Sequence, residues 1–129
     1  MSKKFELFPS VNVLGGKLKP CGNDPVTGFF RDGFCNTCAE DLGSHTVCVE
    51  VSSDFLNYSK EVGNDLSTPI QLARFPGLIQ GDRWCLCAGR WLEAYKEGKA
   101  PKIFLENTHI DAMKIIPREL LEEFAAQIN

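Results

Sequence analysis

Hydrophobic positions alternate most regularly over residues 45–51, where Val47, Val49 and Val51 fall on one face and Thr46, Cys48 and Glu50 on the other. A period of two predicts a half-buried strand. A second strand is predicted over residues 81–91, the stretch that holds both tryptophans and two of the six cysteines. There Trp84, Leu86 and Ala88 share an apolar face, while Arg83, Cys85 and Cys87 share the other. This strand is expected to organise the chain, with core on one side and two thiols beside a guanidinium on the other. If the two strands are neighbours, Cys48, Cys85 and Cys87 face one region. His45 falls on the Val47 side, away from them.

Helical spacing takes over at residues 53–62, where Phe55, Leu56, Ser59 and Val62 make a buried stripe. Ser52 or Ser53 can accept the free N–H groups at the start of this helix, Asp54 suits its positive end, and Gly63 suits its exit. Trp91, Leu92, Ala94 and Tyr95 predict a second short helix ending at Gly98. Pro117 opens a third, with Leu120, Leu121, Phe124, Ala125 and Ile128 turned inward. Short strands are expected at residues 11–13 and 103–105, a tight hairpin turn at Asp32-Gly33, and a brief turn capped by Thr108 over residues 110–114. Residues 64–82 lack periodicity, yet Leu66, Leu72, Phe75, Leu78 and Ile79 make them too apolar for a solvated linker. An exposed patch there would mark a protein partner or the face of a homo-oligomer. No regular alternation of strand and helix appears. The expected class is α+β, a small mixed or antiparallel sheet with about three helices, with residues 1–10 as a tail and residues 11–129 as one domain.

Charge and length narrow the function. A chain of 129 residues can bury an ordinary core without disulfide staples. A net charge of −3 and the lack of any Lys/Arg run argue against a nucleic-acid partner. No stretch approaches the roughly 20 apolar residues that span a membrane, and no hydrophobic run follows the basic start as in a secretory signal. The expected location is cytoplasmic, where cysteines stay reduced, so six free thiols are expected.

Those thiols are the candidate chemistry. Cys35 and Cys38 have the spacing of a zinc knuckle, and Cys85 and Cys87 supply a tighter second pair. These four are the expected metal ligands, with Cys21, Cys48, His45 and His109 in reserve and zinc as the metal. Free cysteine also packs as a small hydrophobe, so inert burial in a structural or interaction module competes with this reading. A small thiol-dependent enzyme is the other alternative; its nucleophile needs a nearby cation, helix start or base, for which Arg83, His45 and His109 are on offer. Asp82, Arg83 and Trp84 are the expected ligand-binding residues if a small-molecule pocket forms. Asp24, Arg31, Asp32, Asp41 and Asp65 sit in turns, where aspartate usually bonds its own backbone. No nucleotide-binding glycine loop, serine-triad signature or zinc-protease helix motif occurs.

Several runs carry a resemblance. They are Asn12-Val13-Leu14-Gly15-Gly16, Asp24-Pro25-Val26-Thr27-Gly28-Phe29, Arg31-Asp32-Gly33 and Gly43-Ser44-His45-Thr46-Val47-Cys48. Gly63-Asn64-Asp65-Leu66-Ser67-Thr68-Pro69, Phe75-Pro76-Gly77-Leu78 and Gly81-Asp82-Arg83-Trp84-Cys85-Leu86-Cys87 complete them. Together they resemble a widespread, mainly bacterial family of small proteins of unknown function, over nearly the whole chain from Asn12 onward. Members of that family often carry cysteine where this chain has Phe34 and glycine where it has Cys38. The resemblance therefore implies that the Cys35–Cys38 pair is particular to this chain.

Overall fold

The valine alternation folds as a strand, β1 (His45–Glu50), at the centre of a three-stranded antiparallel sheet. The computed structural model describes residues 6–126. β1 is flanked by β2 (Arg83–Cys87) and by the short β3 (Lys102–Ile103). Its register sets Val49 opposite Trp84 and Cys48 opposite Cys85. Three helices complete the architecture: α1 (Ser53–Glu61), α2 (Ala88–Lys96) and α3 (Arg118–Glu123). The class is α+β.

One face of the sheet carries the apolar core. Val47, Val49, Trp84 and Leu86 project into it and meet Phe55 and Leu56 of α1, Trp91 of α2 and Leu121 of α3. Ser52 caps α1 by accepting the Phe55 N–H at 3.1 Å. Val62 lies just past the helix end and is 39% exposed, so it is not part of the buried stripe. Trp91 has no exposed surface; its indole N–H donates to the Pro101 carbonyl at 3.0 Å, and its ring meets Tyr95 and Phe124.

Several local expectations are corrected. The second strand stops at Cys87 and α2 begins at Ala88 with no residue between. Ala88, Trp91 and Ala94 are buried at spacings of three, and burying that stripe outweighs the cost of Gly89 in the first helical turn. Thr108 caps nothing, because its hydroxyl donates to the Phe104 carbonyl and accepts from the Cys48 N–H; the His109 ring accepts the Asp111 N–H instead. Residues 11–13 form only single bridges, Val11 with Lys17 and Asn12 with His109. Asp32-Gly33 joins no strands; Asp32 accepts the Phe34 N–H within an irregular loop. Of residues 103–105 only Ile103 lies in a strand, the two-residue β3, and Leu105 already begins a helical turn. Ile128 lies outside the described residues. Of the apolar loop, Leu78 is buried and Leu66 and Phe75 pack on the core, while Ile70, Leu72 and Ile79 are exposed. Among the described residues, no helix is long and apolar enough to cross a membrane.

The cysteines depart furthest from expectation. On the opposite face of the sheet, Cys21, Cys35, Cys48 and Cys85 gather with Phe104 in a second buried cluster. They are joined as Cys21–Cys48 and Cys35–Cys85, with Cα separations of 5.7 and 5.4 Å. Six free thiols were expected from compartment and chain length. Topology decides otherwise: Cys48 and Cys85 stand side by side on β1 and β2, and the loop before β1 lays one cysteine over each, within bridging range. Cys38, buried, and Cys87, half-buried, remain free.

Candidate thiol–imidazole site

The site grows from an irregularity in β1. Between His45 and Val47 the register slips, so that His45 stands opposite Cys87 while Val47 stands opposite Leu86. One extra residue on one strand bends it and re-aims its neighbours. The slip overrides the alternation that had turned His45 away from the thiols.

The loop before β1 supplies the third group. The Asp41 side chain has no exposed surface, and its carboxylate is fully engaged. Oδ2 accepts the Thr37 hydroxyl at 2.9 Å and the His45 backbone N–H at 2.9 Å, while Oδ1 lies 2.6 Å from His45 Nδ1. Gly43 leaves the room these groups need: a Cβ there would stand 3.0 Å from His45 Cε1 and 3.2 Å from the Cys87 sulfur. The hydrogen bond with Cys87 is the largest influence on the His45 imidazole. Together with the Asp41 hydrogen bond and the charges of both groups, it outweighs partial burial and raises the pKa from 6.5 to about 9.

That shift gives a prediction. A raised folded value means the folded protein holds the proton more tightly. The stability it contributes is fully present below about pH 6.5 and fades as pH climbs through about 9. An imidazole C–H resonance of His45 followed by NMR should titrate near 9, and in Cys87→Ser its midpoint should drop toward the ordinary range. A wild-type midpoint near 6.5 would remove the coupling.

Cys87 also occupies the N-cap of α2, where first-turn N–H groups have no partner inside the helix. The Ala88 N–H is taken by the Ser44 carbonyl at 2.9 Å, which fastens the helix start to the loop before β1. Cys87 borders a cavity of about 280 Å³, walled by Phe29, Arg31, His45, Leu66, Trp84 and Leu86. Arg31 adopts a left-handed backbone, φ 54°, and its Nη1 donates to the Gly28 carbonyl at 2.6 Å. Its guanidinium carbon lies 5.1 Å from the centre of the Trp84 ring.

The residues expected from sequence are distributed as follows. Cys35 and Cys85 are bonded to each other, with Cys21 and Cys48 beside them; the sulfurs of Cys21, Cys35 and Cys85 lie within 4.8 Å of one another. Cys38 lies in the loop before β1, outside that cluster, where its carbonyl accepts the Asp41 N–H at 3.1 Å. Cys87 is paired with His45 at the end of the sheet. Of the expected ligand-binding trio only Trp84 lines the cavity: Arg83 covers the Phe104 ring at 3.9 Å, and Asp82 accepts the Ile79 N–H. His109 is buried, with Nε2 3.0 Å from the Pro9 carbonyl, and burial lowers its pKa. Asp41 and Arg31 read in the sequence as ordinary turn residues. The one signal for Asp41 is its spacing of four from His45, which only the loop geometry makes meaningful.

Fold and site define a small α+β protein with a thiol, an imidazole and a buried carboxylate in sequence beside a cavity. The chain belongs to the family described as uncharacterized protein conserved in bacteria, whose model matches residues 11–125. No curated protein matches the sequence.

Proposed function

We propose that the protein is a small thiol-dependent enzyme in which Cys87 is the nucleophile, His45 takes and returns its proton, and Asp41 orients the imidazole. The observation that carries this reading is the cross-strand pairing of His45 with Cys87, backed by the fully engaged carboxylate of Asp41. A nucleophile, a base and an orienting group in that order are the recurring requirement for covalent catalysis. The cavity limits the substrate to a small molecule. With an acyl substrate, the sulfur attacks the carbonyl carbon, an S–C bond forms and the π pair moves to oxygen. Collapse expels the leaving group, which takes its proton from His45. Water, with His45 as base, then releases the acid and restores the thiol.

Alkylation tests this. In the non-reduced protein at neutral pH, iodoacetamide should label Cys87 about tenfold or more faster than free cysteine, and His45→Gln should remove most of that excess. Labelling no faster than free cysteine, or untouched by His45→Gln, would overturn it.

The sulfur cluster favours a second reading, a metal-binding module, in the reduced protein. Four sulfurs converge from two strands and two loop positions, and zinc takes four thiolates at about 2.3 Å. Disulfides persist in oxidising compartments, so the cytoplasmic location expected from the sequence goes with this reduced state. Elemental analysis of protein kept reduced from lysis onward, with zinc supplied, should find one zinc per chain; none would remove the reading.

A further inference from the structure

We infer that the cavity beside Cys87 takes a substrate bearing a carboxylate, held by the Arg31 guanidinium with its carbon body against the Trp84 and Phe29 rings. This rests on the thiol-enzyme reading above and adds the substrate class to it.

Arg31 is the unmatched cation of the site. Among the described residues, no carboxylate lies within ion-pair distance of it. The other positive charge at the cavity, His45, is matched by Asp41. With Nη1 turned to the Gly28 carbonyl, Arg31 keeps Nη2 and Nε, a fork whose spacing matches the two oxygens of a carboxylate. The aromatic wall beside it suits the apolar remainder of a small acid.

The position of Arg31 is constructed by the chain around it. Its left-handed backbone is unfavourable for a residue with a side chain and persists only where the surroundings enforce it. Gly28 is the first enforcement. Its φ is 103°, and a Cβ there would lie 2.3 Å from the Phe34 carbonyl oxygen, so no other residue fits. The backbone N–H and the side chain of Arg31 then both bond the Gly28 carbonyl. The second enforcement is covalent. Cys35, four residues on, is bonded to Cys85, which lies two residues before Cys87 on β2. The guanidinium and the sulfur are thereby fixed to the same strand. A loop that only had to turn would need neither the strained arginine nor the anchor.

Two reagents that differ only in their charged end test the assignment. Iodoacetate and iodoacetamide react identically: the sulfur forms a bond to the methylene carbon and iodide leaves. At Cys87, iodoacetate should react about tenfold faster than iodoacetamide and its rate should saturate with concentration, as binding before reaction requires. Arg31→Gln should abolish the preference; the ratio of the two rates is read, so a general change in thiol reactivity cancels. As a check on the unaltered protein, propanoate should protect Cys87 from iodoacetamide, whereas propanamide and inorganic phosphate should not. A ratio at or below one in the wild type overturns the inference. So does a preference that survives Arg31→Gln, which would place the anion on His45 or the α2 amides, and so does equal protection by phosphate. If iodoacetamide itself labels Cys87 no faster than free cysteine, the underlying enzyme reading fails instead, and the two failures are told apart.

Discussion

Alanine in place of Trp91 is expected to lower the unfolding free energy by about 3–5 kcal/mol, the usual cost of removing a large aromatic side chain from a packed core. The indole is fully buried, and α1, α2, α3 and the sheet all converge on the core it fills. Its loss opens a cavity against Tyr95 and Phe124 and leaves the Pro101 carbonyl without its donor. Equilibrium denaturation in urea measures it. A loss below about 1 kcal/mol would mean that α2 does not pack as described. Because Trp91 lies away from the cavity, refolded Trp91→Ala protein should still show the His45 titration.

Breaking the Cys35–Cys85 link should cost nearly as much. The bond closes a loop of 50 residues, and the chain-entropy estimate for that length is about 4 kcal/mol. For Cys21–Cys48, at a sequence separation of 27, it is about 3.5 kcal/mol. The two loops interleave in sequence, so the effects should not add: once one link is present, the second closes a chain already constrained. Urea midpoints for Cys35→Ser/Cys85→Ser, for Cys21→Ser/Cys48→Ser and for the combined variant measure both terms. Unchanged midpoints on adding a dithiol reductant, with all six thiols then titrating, would show that the links contribute nothing.

Where periodicity and burial coincide, the sequence was a sufficient guide. The valines of β1, the stripe and serine cap of α1 and the apolar face of Trp84 and Leu86 follow from local pattern alone. The convergence of Cys48 and Cys85 was also legible, since it needs only two neighbouring strands. The partners of those cysteines were not. Cys21 and Cys35 reach the sheet through an irregular loop whose path is set by Gly28, Gly33 and side-chain hydrogen bonds, none of which has a period. The site was hidden for the same reason. Strict alternation turns His45 away from Cys87, and a single unpaired residue turns it back. Arg31 carries no pattern, and the spacing of four between Asp41 and His45 means nothing until the loop is folded, because their roles come from where a loop happens to lie.

The direct passage from β2 into α2 at Cys87 has a consequence for how the chain tolerates change in length. A helix turns about 100° per residue, so one residue inserted between Cys87 and Ala88 would rotate α2 by more than a quarter turn. Trp91 and Ala94 would then swing out of the core, unless the strand slid to compensate and carried the sulfur away from His45. Insertions and deletions are therefore excluded at this junction, whereas the exposed loop around Leu72 can lengthen or shorten freely.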